Sequence, residues 1–423
     1  MRRLILPLIL GLAHGIADGA AGLLLGGLPR AMPLERVALL VLLYNALAFG
    51  GQPLLGLLAD RLGRPRAAAL FGLLLLAGAL LLAERQPQLA VALAGLGSAA
   101  FHIGGGALAL CATKGRATGP GLFAAPGVVG LAAGGALAAS GYTTPWPFLL
   151  PLLALTVVIG RLQLPALPYA MTTDHRPPTA DQPDARPKTR DTTPERSDWR
   201  PAEQRTKNRE QRVDGLRTTG YGLRTTDEAQ SAIYNLQSAI PEGHDIVMLV
   251  LLTGIALRSA VWTSLQFLFE GRYETLLMMA LAAAIGKIVG GVLADRLGWR
   301  RWAIGALLLA APLLALGGRN MFLLLPGVAL LQSATPAALA MTWRLLPRQP
   351  ALAASLGLGL AIAIGGIPTL GGLGPALGAP PILIGVLLAA ALALWWALRP
   401  TTDDRRPTTD HDECDDRSTM GIA

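Results

Sequence analysis

Five ionisable side chains lie inside long apolar stretches, where a charge is costly to place. They are two imidazoles, a carboxylate one helical turn from the first imidazole, a guanidinium and an ammonium: His14, His102, Asp18, Arg258 and Lys287. Ionisable groups in an apolar medium usually mark a binding site or a proton path. Asp18 is therefore the candidate proton carrier, with His14 or His102 as a relay. Arg258 or Lys287 could bind an anionic group of a ligand.

Each of these residues also has a purely structural interpretation. A lone histidine between helices often forms only a packing hydrogen bond, and Asp18 could simply pair with Arg258 or His14. The long stem of Lys287 could carry its ammonium toward a membrane surface. Tyr44 and Asn45, which sit in the middle of another apolar run, are weaker candidates for the same site.

The composition shows what kind of element must position these side chains. The 423 residues are 52% hydrophobic and only 15% charged, against about 25% charged in soluble proteins. Only seven acidic residues lie outside 171–245 and 400–423. The net charge of +9 does not indicate nucleic-acid binding, because the basic residues follow the loops instead of forming one patch. The two cysteines predict no disulfide framework.

A bilayer core of roughly 30 Å needs about 20 apolar residues per helix, and twelve segments meet that requirement. The predicted fold is therefore an all-α polytopic membrane protein of two six-helix bundles. The predicted spans are 4–28, 37–58, 67–84, 88–111, 120–140, 146–166, 246–268, 274–294, 302–318, 321–342, 352–373 and 381–398.

One loop sequence occurs twice. Gly56-Leu-Leu-Ala-Asp60-Arg61-Leu-Gly63 follows the second span, and Gly291-Val-Leu-Ala-Asp295-Arg296-Leu-Gly298 follows the eighth. Seven of the eight positions are identical, and the offset of 235 residues places span two on span eight. Such duplication is typical of a transporter built from two homologous halves.

The residue types in this loop have physical reasons. Gly56 and Gly291 allow two helices to approach closely, and Gly63 and Gly298 permit a tight turn. The carboxylates of Asp60 and Asp295 can face the N-terminus of a neighbouring helix. The arginines that follow supply positive charge and potential ion-pair partners.

The repeated loop resembles the signature Gly-x-x-x-Asp-Arg-x-Gly-Arg-Arg of the major facilitator superfamily. The copies continue as Arg64-Pro65-Arg66 and Trp299-Arg300-Arg301, so both depart slightly from that pattern. The resemblance implies alternating access, a cavity lined by helices one, four, seven and ten, and a conformational latch. The latch residues it implies are Gly56, Asp60, Arg61, Gly63, Arg64, Gly291, Asp295, Arg296, Gly298 and Arg300.

A narrower resemblance rests on three other segments. His14-x-x-x-Asp18, Gly97-Ser98-Ala99-Ala100-Phe101-His102 and Arg258-Ser259 resemble the fosmidomycin-resistance branch of that superfamily. The branch implies proton-coupled efflux of a small organic, drug-like compound. Uptake of a sugar or organic anion by a symporter or uniporter is the alternative, because the fold would be the same.

Loop charge predicts the orientation. Twelve lysines and arginines lie in the loops on the side of the repeated motif, and five on the other side. The positive-inside rule then places both termini in the cytoplasm. We expect a monomer in the plasma (inner) membrane that binds a small-molecule substrate and a proton.

The domain boundaries follow from the same pattern. Residues 1–168 form the N-terminal half and 245–400 the C-terminal half. The linker 169–244 is polar and Pro-rich, so we expect it to be largely disordered, with a possible amphipathic helix at 227–240. The tail 401–423 is expected to be a disordered cytoplasmic segment.

Two other classes of function are disfavoured. An enzyme using His14, Asp18 and His102 would need a metal-binding motif such as His-Glu-x-x-His or a second nearby carboxylate, and the sequence has neither. We therefore expect no enzymatic activity, no metal and no cofactor. A receptor or assembly factor on the same fold is the remaining alternative.

Overall fold

The structure is a computed structural model that describes residues 2–164, 242–318 and 320–399. All regular structure in these residues is helical, and twelve long helices account for nearly all of it. The first six are α1 (Arg2–Ala31), α2 (Leu34–Arg61), α3 (Pro65–Leu82), α4 (Pro87–Ala112), α5 (Thr118–Ala139) and α6 (Trp146–Arg161). The second six are α7 (Glu242–Leu268), α8 (Tyr273–Leu297), α9 (Trp299–Gly317), α10 (Met321–Leu345), α11 (Pro350–Leu377) and α12 (Pro380–Ala397).

The predicted all-α, twelve-helix membrane fold is confirmed. Eleven of the described helices are long and apolar enough to cross a bilayer. The sixth is apolar but has only 16 residues, because it ends at Arg161 instead of the predicted 166. Most other ends differ from the predicted spans by a few residues, mainly because the charged residues at the helix ends were not included in the apolar windows.

Several predictions fall on residues that the structure does not describe. The tail 401–423, the helix proposed at 227–240 and nearly all of the linker 169–244 lie outside the described ranges. The last residues of that linker are an exception, since α7 already begins at Glu242. The domain boundaries themselves stay a prediction.

Three helices depart from regular α geometry near the middle of the bundle. In α2 a π-helical turn, Ala46–Gly50, precedes Pro53, whose nitrogen has no hydrogen to donate to the helix. In α10 the helical hydrogen bonding is interrupted at Ala334, two residues before Pro336. In α11 there are two π-helical turns, Leu356–Leu360 and Thr369–Leu373, both rich in glycine. Such turns often occur at functional sites.

Each set of six helices encloses its own apolar core. Leu10, Leu73, Phe101 and Leu152 are fully buried in the first, and Leu251, Val261, Leu307 and Leu387 are buried in the second. Many exposed side chains are large and apolar, as a surface facing lipid requires. The polar side chains discussed below lie between these two cores.

Candidate functional site

Two histidines and one aspartate come together where α1 and α4 of the N-terminal half meet. His14 and Asp18 lie one turn apart on α1, and His102 projects from α4. The Nε2 atoms of the two histidines are 2.9 Å apart. His14 Nε2 lies 3.1 Å from Asp18 Oδ2, and His102 Nε2 lies 3.8 Å from Asp18 Oδ1. The three residues that the sequence predicted as a proton site therefore form one cluster.

The other ring nitrogen of each histidine is held by the backbone. His14 Nδ1 lies 2.9 Å from the carbonyl oxygen of Phe123 on α5. His102 Nδ1 lies 2.7 Å from the carbonyl oxygen of Ser98, with the Ser98 hydroxyl at 3.2 Å. The ring of Phe123 stacks on His14 at a centroid distance of 4.6 Å. Both imidazoles are buried and have fixed orientations.

The two cations come from the opposite half. Arg258 of α7 donates from Nη1 to Gln332 Oε1 at 3.0 Å and from Nη2 to Ser259 Oγ at 3.2 Å. Its Nε is buried without a hydrogen-bond partner. Lys287 of α8 donates to the Ala124 carbonyl oxygen at 3.3 Å. Among the described residues, no carboxylate lies within 4 Å of either cation.

A cavity of about 530 Å³ brings the cluster and the cations together. Most of its wall is apolar, and its polar lining includes both histidines, Asp18, Arg258 and Lys287. It runs from the middle of the helices toward the end opposite the repeated loops, since the residues from α7 and α11 belong to the middle and far parts of those helices. The lining also contains residues not singled out from the sequence, namely Trp262, Gln266, Gln332 and Thr335.

Gln332 could have been found from the sequence. It is a polar residue in the apolar run of helix ten, one of the helices that the family resemblance places around the cavity. Trp262 and Gln266 follow Arg258 at spacings of four residues and therefore share its helix face. That periodicity was the available signal for them.

The two weaker candidates are placed differently. Asn45 lines the cavity, but its amide nitrogen donates to the Val41 carbonyl oxygen of its own helix at 2.8 Å. Tyr44 is buried and is not among the lining residues. Tyr44 points about 100° away from Asn45 around the helix axis and packs in the apolar core of the N-terminal half.

The repeated loops form the same contact twice between the halves. Asp60 accepts hydrogen bonds from the backbone N–H groups of Ala351 and Leu352, at 3.0 and 2.7 Å, where α11 begins. Asp295 accepts from the N–H groups of Ala117 and Thr118, at 2.8 and 2.9 Å, where α5 begins. A carboxylate at a helix N-terminus satisfies free N–H groups and complements the helix dipole.

The loop glycines explain how close these contacts are. A Cβ on Gly56 would lie 2.9 Å from the Ala351 carbonyl oxygen, and one on Gly291 would lie 2.8 Å from the Ala117 carbonyl oxygen. Gly63 and Gly298 have positive φ values of 62° and 92°, as a tight turn requires.

The arginines of the loops differ from the aspartates in their contacts. Arg61, Arg64 and Arg296 are exposed and form no ion pair with a described residue, because helix N-termini already bind the carboxylates. Arg300 stacks on Trp395, with 4.7 Å between its Cζ and the ring centroid. Arg66, which was not predicted as a site residue, donates to carbonyl oxygens at the end of α6, including Ile159 at 2.9 Å.

Comparison with known proteins identifies the architecture. No family model and no curated protein sequence matches the chain. Among solved structures, a variant of the E. coli fucose:proton symporter FucP has a TM-score of 0.63 at 15% identity, covering 95% of this chain and 99% of its own. FucP in the outward conformation has a TM-score of 0.61 at 14% identity, covering 95% of this chain and 100% of its own. The human organic anion transporter MFSD10 has a TM-score of 0.61 at 17% identity, covering 94% of this chain and 99% of its own. The chain has the fold of major facilitator superfamily transporters.

Proposed function

We propose that this protein is a secondary active transporter that couples the movement of a small, amphipathic organic anion to protons. The observation that carries the proposal is the cavity between the two halves. It joins a cluster of two buried histidines and a partly buried aspartate on one half to two cations on the other. No carboxylate of the described residues pairs with those cations. A buried charge without a counter-charge is costly, so a bound anion would offset that cost.

The wall of the cavity indicates the class of anion. Apolar side chains such as Leu42, Phe49, Trp262 and Ile367 form most of the lining. Binding sites of this kind hold the apolar body of a ligand and orient it through a few polar groups. Arg258 is the best candidate to bind the anionic group, because its Nε is still available. Lys287 would add a second positive charge.

The latches support transport by alternating access. The Asp60 and Asp295 contacts join the halves at one end, while the cavity extends toward the other end. If the termini are cytoplasmic, as loop charge predicts, the cavity faces outward. Release of both carboxylates from α11 and α5 would then allow the cytoplasmic side to open.

Efflux is the direction that the resemblance to the fosmidomycin-resistance branch favours, and uptake is the alternative. FucP is a fucose:proton symporter and MFSD10 an organic anion transporter, so structures of this fold include both proton symport and anion transport. The apolar lining favours an organic anion over a sugar here. We further propose a monomer in the plasma membrane without enzymatic activity.

Flux into proteoliposomes under an imposed pH gradient tests the proposal. The panel pairs an aromatic carboxylate with its neutral amide and its amine analogue, and adds fucose. We expect movement of the carboxylate alone, and its loss in Arg258→Gln. Arg272→Gln is the matched control, because Arg272 is an exposed loop arginine that is not part of the cavity lining. Equal flux of the neutral amide, or undiminished flux in Arg258→Gln, would contradict the proposed substrate class.

A further inference from the structure

The hydrogen bonds of the two histidines fix where their protons are. A carbonyl oxygen can only accept a hydrogen bond. His14 Nδ1 faces the Phe123 carbonyl oxygen at 2.9 Å, and His102 Nδ1 faces the Ser98 carbonyl oxygen at 2.7 Å. Both Nδ1 atoms must therefore carry a hydrogen. A neutral imidazole has only one N–H, so in the neutral form both Nε2 atoms would be bare acceptors.

Two bare acceptors cannot face each other at short range without repulsion. The Nε2 atoms are nevertheless 2.9 Å apart, a normal length for a hydrogen bond with an N–H donor. We infer that the Nε2 atoms of His14 and His102 share one proton, so that the imidazole pair and not the Asp18 carboxyl holds the proton in this conformation. His14 is then the donor, because it also lies within hydrogen-bond reach of Asp18 Oδ2.

The charges around the pair agree with one added proton. With it, the pair is +1 and Asp18 is −1, so the cluster is neutral. Without it, the cluster carries −1 in a buried site. The other titratable or charged groups around the cluster are Tyr44 on α2, Arg258 on α7 and Lys287 on α8. The contacts from α4 and α5 are the Ser98 hydroxyl and the backbone and ring of Phe123, which carry no charge.

A divalent metal is the other cation that could lie between two imidazole nitrogens. Tetrahedral zinc with Zn–N bonds of roughly 2.1 Å would separate the two nitrogens by about 3.4 Å. The observed 2.9 Å is shorter. One carboxylate with Arg258 and Lys287 on the same cavity is also a poor environment for a dication. The distance and the charge both favour the proton.

The meaning of this proton for transport rests on the proposed function. A proton that enters from the cavity bonds to one Nε2 and changes the cluster charge from −1 to 0. Its release restores the negative charge facing the cations of the other half. The free energy of binding an anion at Arg258 and Lys287 would therefore differ between the two protonation states, as coupling requires.

Nitrogen NMR of the full chain in lipid tests the inference without any substrate. The sample is labelled with ¹⁵N-histidine, and His175→Gln, His244→Gln and His411→Gln leave only the two histidines of the pair. We expect two protonated Nδ1 signals and a scalar coupling between the two Nε2 atoms across the hydrogen bond. Loss of that coupling is expected in Asp18→Asn, because the compensating negative charge is gone.

Ser98→Ala is the matched control. It removes the hydroxyl but keeps the carbonyl oxygen that holds His102 Nδ1–H, so the coupling should persist. Absence of coupling with one ring protonated only at Nε2 would overturn the inference, and so would one equivalent of divalent metal in the purified protein. Coupling in NMR without flux of any panel compound would reject the proposed function and leave the shared proton intact.

Discussion

Two seams join the halves of this molecule, and they are related by the internal repeat. The first, which we call the α2–α11 seam, ends at Asp60 and the N-terminus of α11. The second, the α5–α8 seam, ends at Asp295 and the N-terminus of α5. In both, a glycine one turn before the aspartate lies against the facing helix. The repeated loop thus builds the same contact in two places.

Above these contacts the seams differ. In the α2–α11 seam both helices contain π-helical turns, Ala46–Gly50 and Leu356–Leu360. In the α5–α8 seam both helices are continuous. At the position where α8 has Lys287, which bonds across the seam to Ala124, α2 has Gln52. The Gln52 amide nitrogen donates to Ala48 of its own helix at 2.6 Å.

The comparison distinguishes closure of a seam at the loop end from bending of the helices that form it. The Asp60 and Asp295 contacts close both seams at one end, but only the α2–α11 seam contains π-helical turns. We therefore expect the α2–α11 seam to bend during transport and the α5–α8 seam to stay straight. The predictions below would break or sharpen that comparison.

The largest shift in the equilibrium between joined and separated halves is expected when a bulky side chain replaces a loop glycine, Gly56 or Gly291. Gly291→Leu places a side chain where even a Cβ would lie 2.8 Å from the Ala117 carbonyl oxygen. Overpacking of this kind costs about 3 kcal/mol, which shifts the equilibrium on the order of 100-fold toward separation of the halves at the loop end. Spin labels at Ala67→Cys and Arg348→Cys, in a chain without Cys111 and Cys414, would report the longer distance.

Gly56→Leu is the matched variant in the other seam. If the irregular helices of the α2–α11 seam yield more easily, the shift in the spin-label distance will be smaller there than for Gly291→Leu. Equal shifts would mean that the two seams are mechanically alike. Gly305→Leu, where the added Cβ meets open space, should leave the distance unchanged.

A smaller effect is expected from weakening one latch without adding bulk. Asp295→Asn keeps the shape but turns an amide NH₂ or a neutral oxygen toward N–H donors that now bond a carboxylate. The loss of charge-assisted hydrogen bonds and of the dipole contact should cost about 2 kcal/mol, roughly 30-fold in the same equilibrium. Asp295→Glu tests geometry against charge, because it keeps the charge and lengthens the side chain. No change in the spin-label distance for Asp295→Asn would show that backbone packing alone holds this end.

The latches also show what the sequence could predict. Two copies of a glycine and an aspartate at a fixed spacing were enough to predict a close contact and a helix N-terminus as its partner. They could not predict which helices supply the N-termini, because that depends on the packing of the two halves. The arginines that follow each aspartate were potential ion-pair partners, but Arg61 and Arg296 are exposed, and backbone N–H groups at helix N-termini bond the two carboxylates. Asn45 lines the cavity, but its amide nitrogen bonds to the Val41 carbonyl oxygen of its own helix, which no pattern of residue types reveals.

The members of the His–His–Asp cluster were predicted more fully than the positions of their protons. Spacing alone placed His14 and Asp18 on one face, and burial cost indicated that His102 belonged with them. The proton arrangement depends on two backbone carbonyl oxygens, Phe123 and Ser98, and every residue carries such an oxygen. Only the three-dimensional arrangement shows which of them an imidazole will meet.

Replacing Lys287, the one charge that distinguishes the seams, should have a moderate effect on substrate affinity. Lys287→Gln gives the α5–α8 seam the residue of its counterpart and removes one cation from the cavity. We expect the chain to fold and the affinity for the transported carboxylate to fall about tenfold, or roughly 1.4 kcal/mol. Binding measured in detergent gives the dissociation constant. Lys114→Gln is a control, since Lys114 is exposed at the loop end and outside the cavity lining. An unchanged affinity in Lys287→Gln would show that Lys287 only packs against α5 and does not bind the substrate.

The smallest effect should appear in the protein without any substitution. Hydrogen exchange compares residues 356–360 of α11 with residues 286–290 of α8, which face their seams at similar distances from the loop end. Each segment contains two glycines, so glycine content does not separate them. The π-helical turn has poorer hydrogen-bond geometry and should open at a cost lower by about 1 kcal/mol, giving roughly fivefold faster exchange. Ile288 and Val289 are exposed whereas Leu358 is buried, so surface exposure alone would favour faster exchange in α8, the opposite of the expected ratio. Equal exchange would place the bending elsewhere and leave the two seams equivalent along their whole length.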